Sequence, residues 1–201
     1  VVGVSLDPPQ DNNQKIVEPT LNVLKNTFGP QNLKIVRLPL PELEKNLEAG
    51  KIDIFLSTSG LSRRMAQKGA KELATMVSDR LPNPNEAYGT LFITRKDSPI
   101  NNISDMQGHS LVANLKGGFY GHQIGLGELV KQGYDPYTFF SSVHYVGRDL
   151  KKVVDAVLKG KADVGSVSSC FLEDTYPKDG EVWKNLKGIG LKPNGTGCLA
   201  S

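Results

Sequence analysis

Four short runs place polar or glycine residues where an apolar stretch gives way to a helical pattern. They are Ser57-Thr58-Ser59, Lys116-Gly117-Gly118-Phe119-Tyr120-Gly121, Val146-Gly147-Arg148-Asp149 and Ser166-Val167-Ser168-Ser169. The chemistry these types support is non-covalent recognition of a small anion. Backbone N–H groups at a helix start are free to meet negative charge, and glycines let that backbone approach a ligand closely. A guanidinium forks onto the oxygens of an oxyanion. Phe119 and Tyr120 supply an apolar wall with one hydroxyl. Ser57, Thr58 and Ser59 are also the residue types that cap helices for stability alone, and capping and anion binding draw on the same N–H groups. Arg148 stands at a helix start, where the dipole is already positive, so an acidic neighbour such as Asp149 or a bound anion must compensate it.

Other chemistries lack their residues. The glycine-rich turn has no Lys-Ser/Thr end and misses the dinucleotide spacing, so it is neither a P-loop nor a cofactor fingerprint. His109, His122 and His144 are scattered without metal-ligand spacing, and no metal or cofactor is expected. His122, one residue past the glycine turn, is placed to touch a ligand. No GxSxG elbow, activated nucleophile or placeable carboxylate pair is present, so no catalytic residue is assigned. Cys170 offers a thiol but nothing nearby in sequence activates it. With Cys198 it makes either one disulfide or two buried free thiols. The net charge of +3 is small and dispersed, which argues against nucleic acid, and Arg63, Arg64, Lys68 and Lys71 read as a solvated helix face. No run of about 18 apolar residues exists to suggest a membrane-crossing helix.

The elements that must position these groups alternate strand and helix. Residues 1–6 read as a strand, followed by a helix with Val17, Leu21, Leu24 and Phe28 on one buried stripe and Pro19 in its first turn. Residues 33–38 form a second strand, and a short helix opens at Pro41 with Leu43 and Leu47 inward and stops at Gly50. Residues 52–56 are a continuous apolar run, as for a strand buried on both faces. This βαβαβ order predicts a parallel sheet with helices on both sides. Residues 79–85 are the clearest turn-rich stretch. Beyond it come strands at 88–94, 111–114, 143–146 and 162–167, with helices between the last three.

The chain also echoes itself. A helix, Gly50-Lys51-Ile52-Asp53, a strand and Ser57-Thr58-Ser59 are matched by a helix, Gly160-Lys161-Ala162-Asp163, a strand and Ser166 to Ser169. Each glycine is expected to close its helix in a left-handed cap. The second helix carries Leu150, Val153, Val154, Val157 and Leu158 on one face. Two α/β halves therefore deliver hydroxyls to the carboxyl ends of parallel strands, where open α/β sheets bind ligands.

Several ordered runs together carry a family resemblance: Leu47-Glu48-Ala49-Gly50-Lys51-Ile52-Asp53, Ala87-Tyr88, Arg95-Lys96-Asp97-Ser98-Pro99-Ile100, Ile103-Ser104-Asp105-Met106-Gln107-Gly108, Val146-Gly147-Arg148-Asp149 and Val157 to Gly165. The chain resembles the phosphate/phosphite/phosphonate-binding family of periplasmic solute-binding proteins. That resemblance implies an α/β, bilobal type II periplasmic-binding-protein-like fold, with two doubly wound α/β lobes joined by crossing strands. Lobe one is expected at 1–86 plus 189–201 and lobe two at 87–188, with crossings near 87–94 and 189–199 and a chain cut from something longer at both ends. It turns Tyr88, otherwise readable as a core tyrosine, into a ligand contact; Asp7 is weaker, since Asp7-Pro8-Pro9 reads equally as a turn. The transport members' Ser-Thr-Ser-Gly loop is replaced here by Gly118-Phe119-Tyr120-Gly121, their histidine after Gly by Arg148, and their acidic residues by Ser168 and Ser169. The pattern is more similar to the input domains of membrane-bound histidine kinases such as tetrathionate sensors. The resemblance and the residues together imply a periplasmic domain that closes on a small oxyanion through Ser57, Thr58, Ser59, Tyr88, Gly117, Gly118, Phe119, Tyr120, Arg148 and Ser168. Its partner is a sensor kinase; the alternatives are an ABC-transporter permease or, less favoured, an enzyme on the same scaffold.

Overall fold

The computed structural model describes residues 1–6, 13–75, 89–190, 192–193 and 199–200. Two compact units divide the chain, Val1–Thr75 and Met76–Ser201.

The first unit is β1 (Val2–Leu6), α1 (Asn13–Phe28), β2 (Ile35–Pro39), α2 (Leu40–Glu48), β3 (Ile54–Leu56) and α3 (Ser59–Gln67). Its sheet runs β2-β1-β3, all parallel, as the βαβαβ order requires. Because side chains alternate across a strand, Ile35, Ile54 and Leu56 pack with Val2, Val4 and Leu21 of α1 on one face. Val36, Leu38 and Phe55 pack with Leu43, Ile52, Leu61 and Met65 on the other. Gly3 lets α2 close on β1: a Cβ there would lie 2.6 Å from Leu43 Cδ1 and 2.9 Å from Ile52 Cδ1.

Three expectations in this unit are corrected. Pro19 lies in the interior of α1 rather than its first turn, because the helix already begins at Asn13. It sits on the exposed side of the helix, the side on which a freed carbonyl is open to solvent. The buried stripe of α1 ends at Leu24, since Phe28 is 49% exposed. β3 is half-buried rather than covered on both faces, because within the described residues it is an edge strand paired only to β1.

The second unit contains β4 (Thr90–Arg95), β5 (Ser110–Ala113), α4 (Ile124–Lys131), β6 (Ser142–Tyr145), α5 (Leu150–Leu158), β7 (Val164–Ser168), α6 (Phe171–Thr175), α7 (Glu181–Asn185) and β8 (Leu186–Ile189). β9 (Lys192–Pro193) and β10 (Leu199–Ala200) pair with each other in an antiparallel ribbon. The main sheet runs β6-β5-β7-β4-β8, and β4 alone is antiparallel to its neighbours. The order β6-β5-β7 repeats β2-β1-β3, so the echo read in the sequence is an echo of topology. Its helix ends match bond for bond. Gly50 and Gly160 take φ of 65° and 66°. Gly50 N donates to Leu47 O and Lys51 N to Asn46 O, both at 3.0 Å; Gly160 N donates to Val157 O at 3.0 Å and Lys161 N to Ala156 O at 2.8 Å. Each set is a Schellman motif, satisfying carbonyls that the helix end would otherwise orphan.

α5 buries Val153, Val154 and Val157 completely against the sheet, each contributing about 1.5–3 kcal/mol by removal from water. Its close approach depends on Gly165 in the middle of β7. Asp163 then locks the opening of β7 to that of β5: its Oδ2 accepts from Ser110 N at 3.0 Å and Ser110 Oγ at 2.6 Å, while Asp163 N donates to Ser110 Oγ at 3.0 Å. These bonds hold the Asp163 carboxyl below the ordinary aspartate range.

A Cβ at Gly165 would stand 2.8 Å from Val157 Cγ2, 2.9 Å from Ile93 Cγ1 and 3.0 Å from Val153 Cγ1. Gly165→Ala is therefore expected to cost about 1–3 kcal/mol through overpacking, read as a lower urea midpoint with an unchanged slope. Asp163→Ala removes two accepted bonds from a half-exposed carboxylate and is expected to cost about 1 kcal/mol in the same measurement.

Candidate functional site

Three strand-to-helix connections of the second unit open at one edge of its sheet, the carboxyl ends of β5, β6 and β7. Backbone bonds tie them together. Val146 N donates to Ala113 O at 3.1 Å and Gly147 N to Asn114 O at 2.9 Å, which draws the turn after β6 onto the end of β5. The glycine-rich turn after β5 leads into a π-helix, Phe119–Gln123, continuous with α4. Its wide turn is closed by Gln123 N to Gly118 O at 2.9 Å. Two of its carbonyls are met by buried hydroxyls: Thr90 Oγ1 donates to Tyr120 O and Ser166 Oγ to Gly121 O, each at 2.6 Å. Such one-turn π insertions concentrate at functional sites because they re-aim side chains from an otherwise regular helix.

Asn114 explains the glycines. Its side chain lies under the turn, so a Cβ at Gly118 would be 2.4 Å from Asn114 Oδ1 and one at Gly121 3.1 Å. Gly117 differs, since a Cβ there would meet nothing within 4 Å. Phe119 and Tyr120 form an edge-to-face pair with centroids 5.2 Å apart, and Tyr120 is 37% exposed.

Arg148 follows Gly147, whose φ is 88°, and precedes the N-cap of α5. Asp149 fills that cap, with Oδ1 accepting from Lys151 N at 3.0 Å. The acidic neighbour thus satisfies a helix donor. Partial burial lowers the Arg148 guanidinium from its ordinary range, which leaves it cationic. Ser168 ends β7 opposite Thr90. Ser169 is structural: its Oγ accepts from Gly89 N at 2.8 Å while its own N donates to Gly89 O at 2.9 Å. Gly117, Gly118, Phe119, Tyr120, Arg148 and Ser168 therefore share one edge of one sheet.

The first unit places Ser57, Thr58 and Ser59 at the equivalent edge, between β3 and α3. Thr58 has the N-cap backbone conformation but makes no side-chain capping bond. Ser57 is half-buried, and its Oγ has no hydrogen-bond partner among the described residues. Tyr88 and Asp7 lie outside the described residues, as do Cys198 and the turn-rich stretch 79–85. Cys170 is disulfide-bonded and 3% exposed. That corrects the reading of two free thiols, and it removes the nucleophile that a Cys170 hydrolase would need. Among the described residues no cluster of His, Cys, Asp or Glu could hold a metal ion.

Sequence reasoning singled out His122 only by its position and missed its companions. His122 is 2% exposed, its Nε2 lies 3.2 Å from the Tyr145 hydroxyl, and the two rings meet edge to face at 5.4 Å. Burial pushes the imidazole below its ordinary range and the Tyr145 phenol above its own, so both are uncharged at neutral pH. His122 Nδ1 and Asn114 Oδ1 are buried with no hydrogen-bond partner among the described residues. An Asn directly after an apolar strand, and a Tyr closing the next one, were the available signals.

A family model described as "ABC transporter, phosphonate, periplasmic substrate-binding protein" matches residues 2–190. No curated protein matches the sequence. The solved structures that resemble it share the fold at low identity. XAC2383 from Xanthomonas citri, bound to chloride ion, is 20% identical with a TM-score of 0.76, covering 99% of this chain and 75% of that one. A binding protein component of an ABC phosphonate transporter from Pseudomonas aeruginosa is 18% identical with a TM-score of 0.59, covering 98% of this chain and 66% of that one. PhnD1 from Prochlorococcus marinus, in complex with methylphosphonate, is 14% identical with a TM-score of 0.59, covering 98% of this chain and 74% of that one. The fold is the bilobal, type II periplasmic-binding architecture, and the chain belongs to the phosphonate-type family of periplasmic substrate-binding proteins.

Proposed function

We propose that this domain binds a small oxyanion at the carboxyl edge of the second unit's parallel strands and passes the resulting closure to a membrane partner. The observation that carries this reading is the convergence of a glycine turn, a π-helix and Arg148 on one sheet edge, tied by the Gly147–Asn114 bond. Turn N–H groups and a guanidinium donate hydrogen bonds and accept none, a set complementary to the oxygens of sulfate, phosphonate, carboxylates or thionates. Lys116, Lys151 and Lys152 add positive charge around the same turns, which raises local anion concentration. Two neighbours of similar fold were solved with anions, chloride in one and methylphosphonate in the other.

Closure follows from differential affinity. An anion held by Gly117, Gly118, Tyr120, Arg148 and Ser168 shifts the population towards whichever form of the domain binds it better, which we propose is a closed one. Tyr88 is a further proposed contact. The output we favour is the input domain of a sensor kinase, supported by the replacement of a hydroxyl-rich loop with Lys116-Gly117-Gly118-Phe119-Tyr120-Gly121. Delivery to an ABC permease is the second reading, supported by the description of the matching family model. Kinase motifs downstream in the gene separate the two.

A thermal-shift screen of the purified domain against sulfate, methylphosphonate, thiosulfate, tetrathionate and small carboxylates tests the anion reading. A true ligand at about 100 times its Kd is expected to add about 2.7 kcal/mol of stability. That shift should be confined to one anion class and be largely lost in Arg148→Ala. Silence from every anion, or a shift untouched by the substitution, overturns the site as drawn.

A further inference from the structure

The pair formed by His122 and Tyr145 has no part in the proposed grip on the anion. His122 belongs to the π-helix that follows the glycine turn, yet it is almost wholly enclosed. One ring nitrogen is engaged by the Tyr145 hydroxyl, and the other has no partner among the described residues. A buried polar atom without a partner costs free energy, so its retention on the edge proposed to meet an anion calls for a use.

The surroundings constrain its charge. Within its own π-helix the only other ionisable group is Tyr120, and β7 carries none. β4 contributes Arg95 at its far end, beside Asp97 at 3.5 Å. α4 contributes Glu128 and Lys131, paired with each other at 3.6 Å. β6 contributes Tyr145 and the exposed His144, and the flanking turns contribute Lys116, Arg148 and Asp149, the last committed to the α5 cap. Every carboxylate on these elements is thus already engaged elsewhere, and burial opposes an imidazolium.

We propose that His122 takes up a proton when an oxyanion enters this edge, so that anion binding is coupled to net proton uptake. The inference rests on the oxyanion reading of the site. In the ligand-free domain the imidazole is neutral, consistent with its depressed pKa. An arriving negative charge favours the charged ring. Protonated, Nε2–H donates to the Tyr145 oxygen and Nδ1–H becomes a donor directed by the anion's field. Linkage makes the effect mutual: the proton strengthens anion binding by the factor by which the anion strengthens proton binding. Affinity is highest below the free-state pKa, which lies under about 6.5, and declines as pH rises through it until the bound-state pKa is passed.

Sulfate and methanesulfonate are suitable probes because their charge is constant from about pH 5 to about pH 8, leaving the protein as the titrating partner. Calorimetric titration of the intact domain across that range is expected to show about tenfold weaker binding at the alkaline end. Repeating it in two buffers of different ionisation heat should reveal net uptake peaking at about half a proton per anion, the most that a tenfold linkage at one site allows. His122→Gln keeps a hydrogen-bonding side chain but cannot titrate, so its affinity should be flat with pH and its proton uptake lost. Should that variant fail to fold, the imidazole resonances of the unsubstituted domain, followed with and without sulfate, report the same pKa rise directly. Binding with no pH slope and no proton uptake overturns the proposal while leaving the anion site standing. Uptake that persists in His122→Gln overturns it as well, and silence from every anion of the thermal-shift screen overturns it together with the oxyanion reading.

Discussion

Two buried hydroxyls hold the architecture at the carboxyl edge of the second unit's parallel strands. Thr90 on β4 and Ser166 on β7 donate to consecutive carbonyls, those of Tyr120 and Gly121, at 2.6 Å. In an α-helix these carbonyls would accept from N–H groups four residues on; in the wider π turn the bonds reach five. A buried carbonyl left unmet would cost about 1–3 kcal/mol, so the two hydroxyls offset the main penalty of the wide turn. The direction of the helix, the exposure of Tyr120 and the burial of His122 all depend on it. Gly118 and Gly121 belong to the same constraint, because Asn114 occupies the space their side chains would need.

The duplication of the 2-1-3 strand order in the two units has a physical basis in each. A central strand flanked by the two that come after it leaves a gap between diverging connections at its carboxyl end, and that gap is where groups can meet a ligand. Identical Schellman ends at Gly50 and Gly160 start the third strand of each unit in the same way. The aspartate at that point does the same work in both. Asp53 N donates to Val1 O while its Oδ2 accepts from the Val1 nitrogen, and Asp163 uses its carboxylate and its N–H to clasp Ser110. The second unit also adds β4 and β8 beside β7, which buries Gly165 and lets α5 settle at close range.

Much of this was legible in the sequence because it depended on short-range pattern. The α5 face of Val153, Val154 and Val157, the left-handed glycines and the parallel strand order are consequences of periodicity and turn chemistry. The glycine turn and Arg148 could be placed on a strand edge for the same reason. The features that stayed hidden depended on contacts distant in the chain. Nothing local to Thr90 or Ser166 says that each reaches a π-helix carbonyl. Nothing near His122 points to Tyr145, which is 23 residues away and on another strand. Pro19 misled because an exposed helix face tolerates an interior proline when solvent takes the freed carbonyl. The half-buried β3 misled because an apolar run does not reveal whether its strand has one neighbour or two.

β4 is antiparallel among parallel neighbours, and this sets how the unit would carry load. The strand starts at the same edge as the carboxyl ends of β5 and β7, with Gly89 held to Ser169 by a reciprocal pair of bonds and Thr90 opposite Ser168. It then runs between β7 and β8 as far as Arg95, opposite Leu186. A pull on the chain at Gly89 along the strand therefore stresses both ladders in shear, many bonds at once, rather than peeling them one by one. The start of β4 is thus mechanically stiff, and a small displacement there is transmitted to the β7–α6 turn as a rigid lever passes on a stroke.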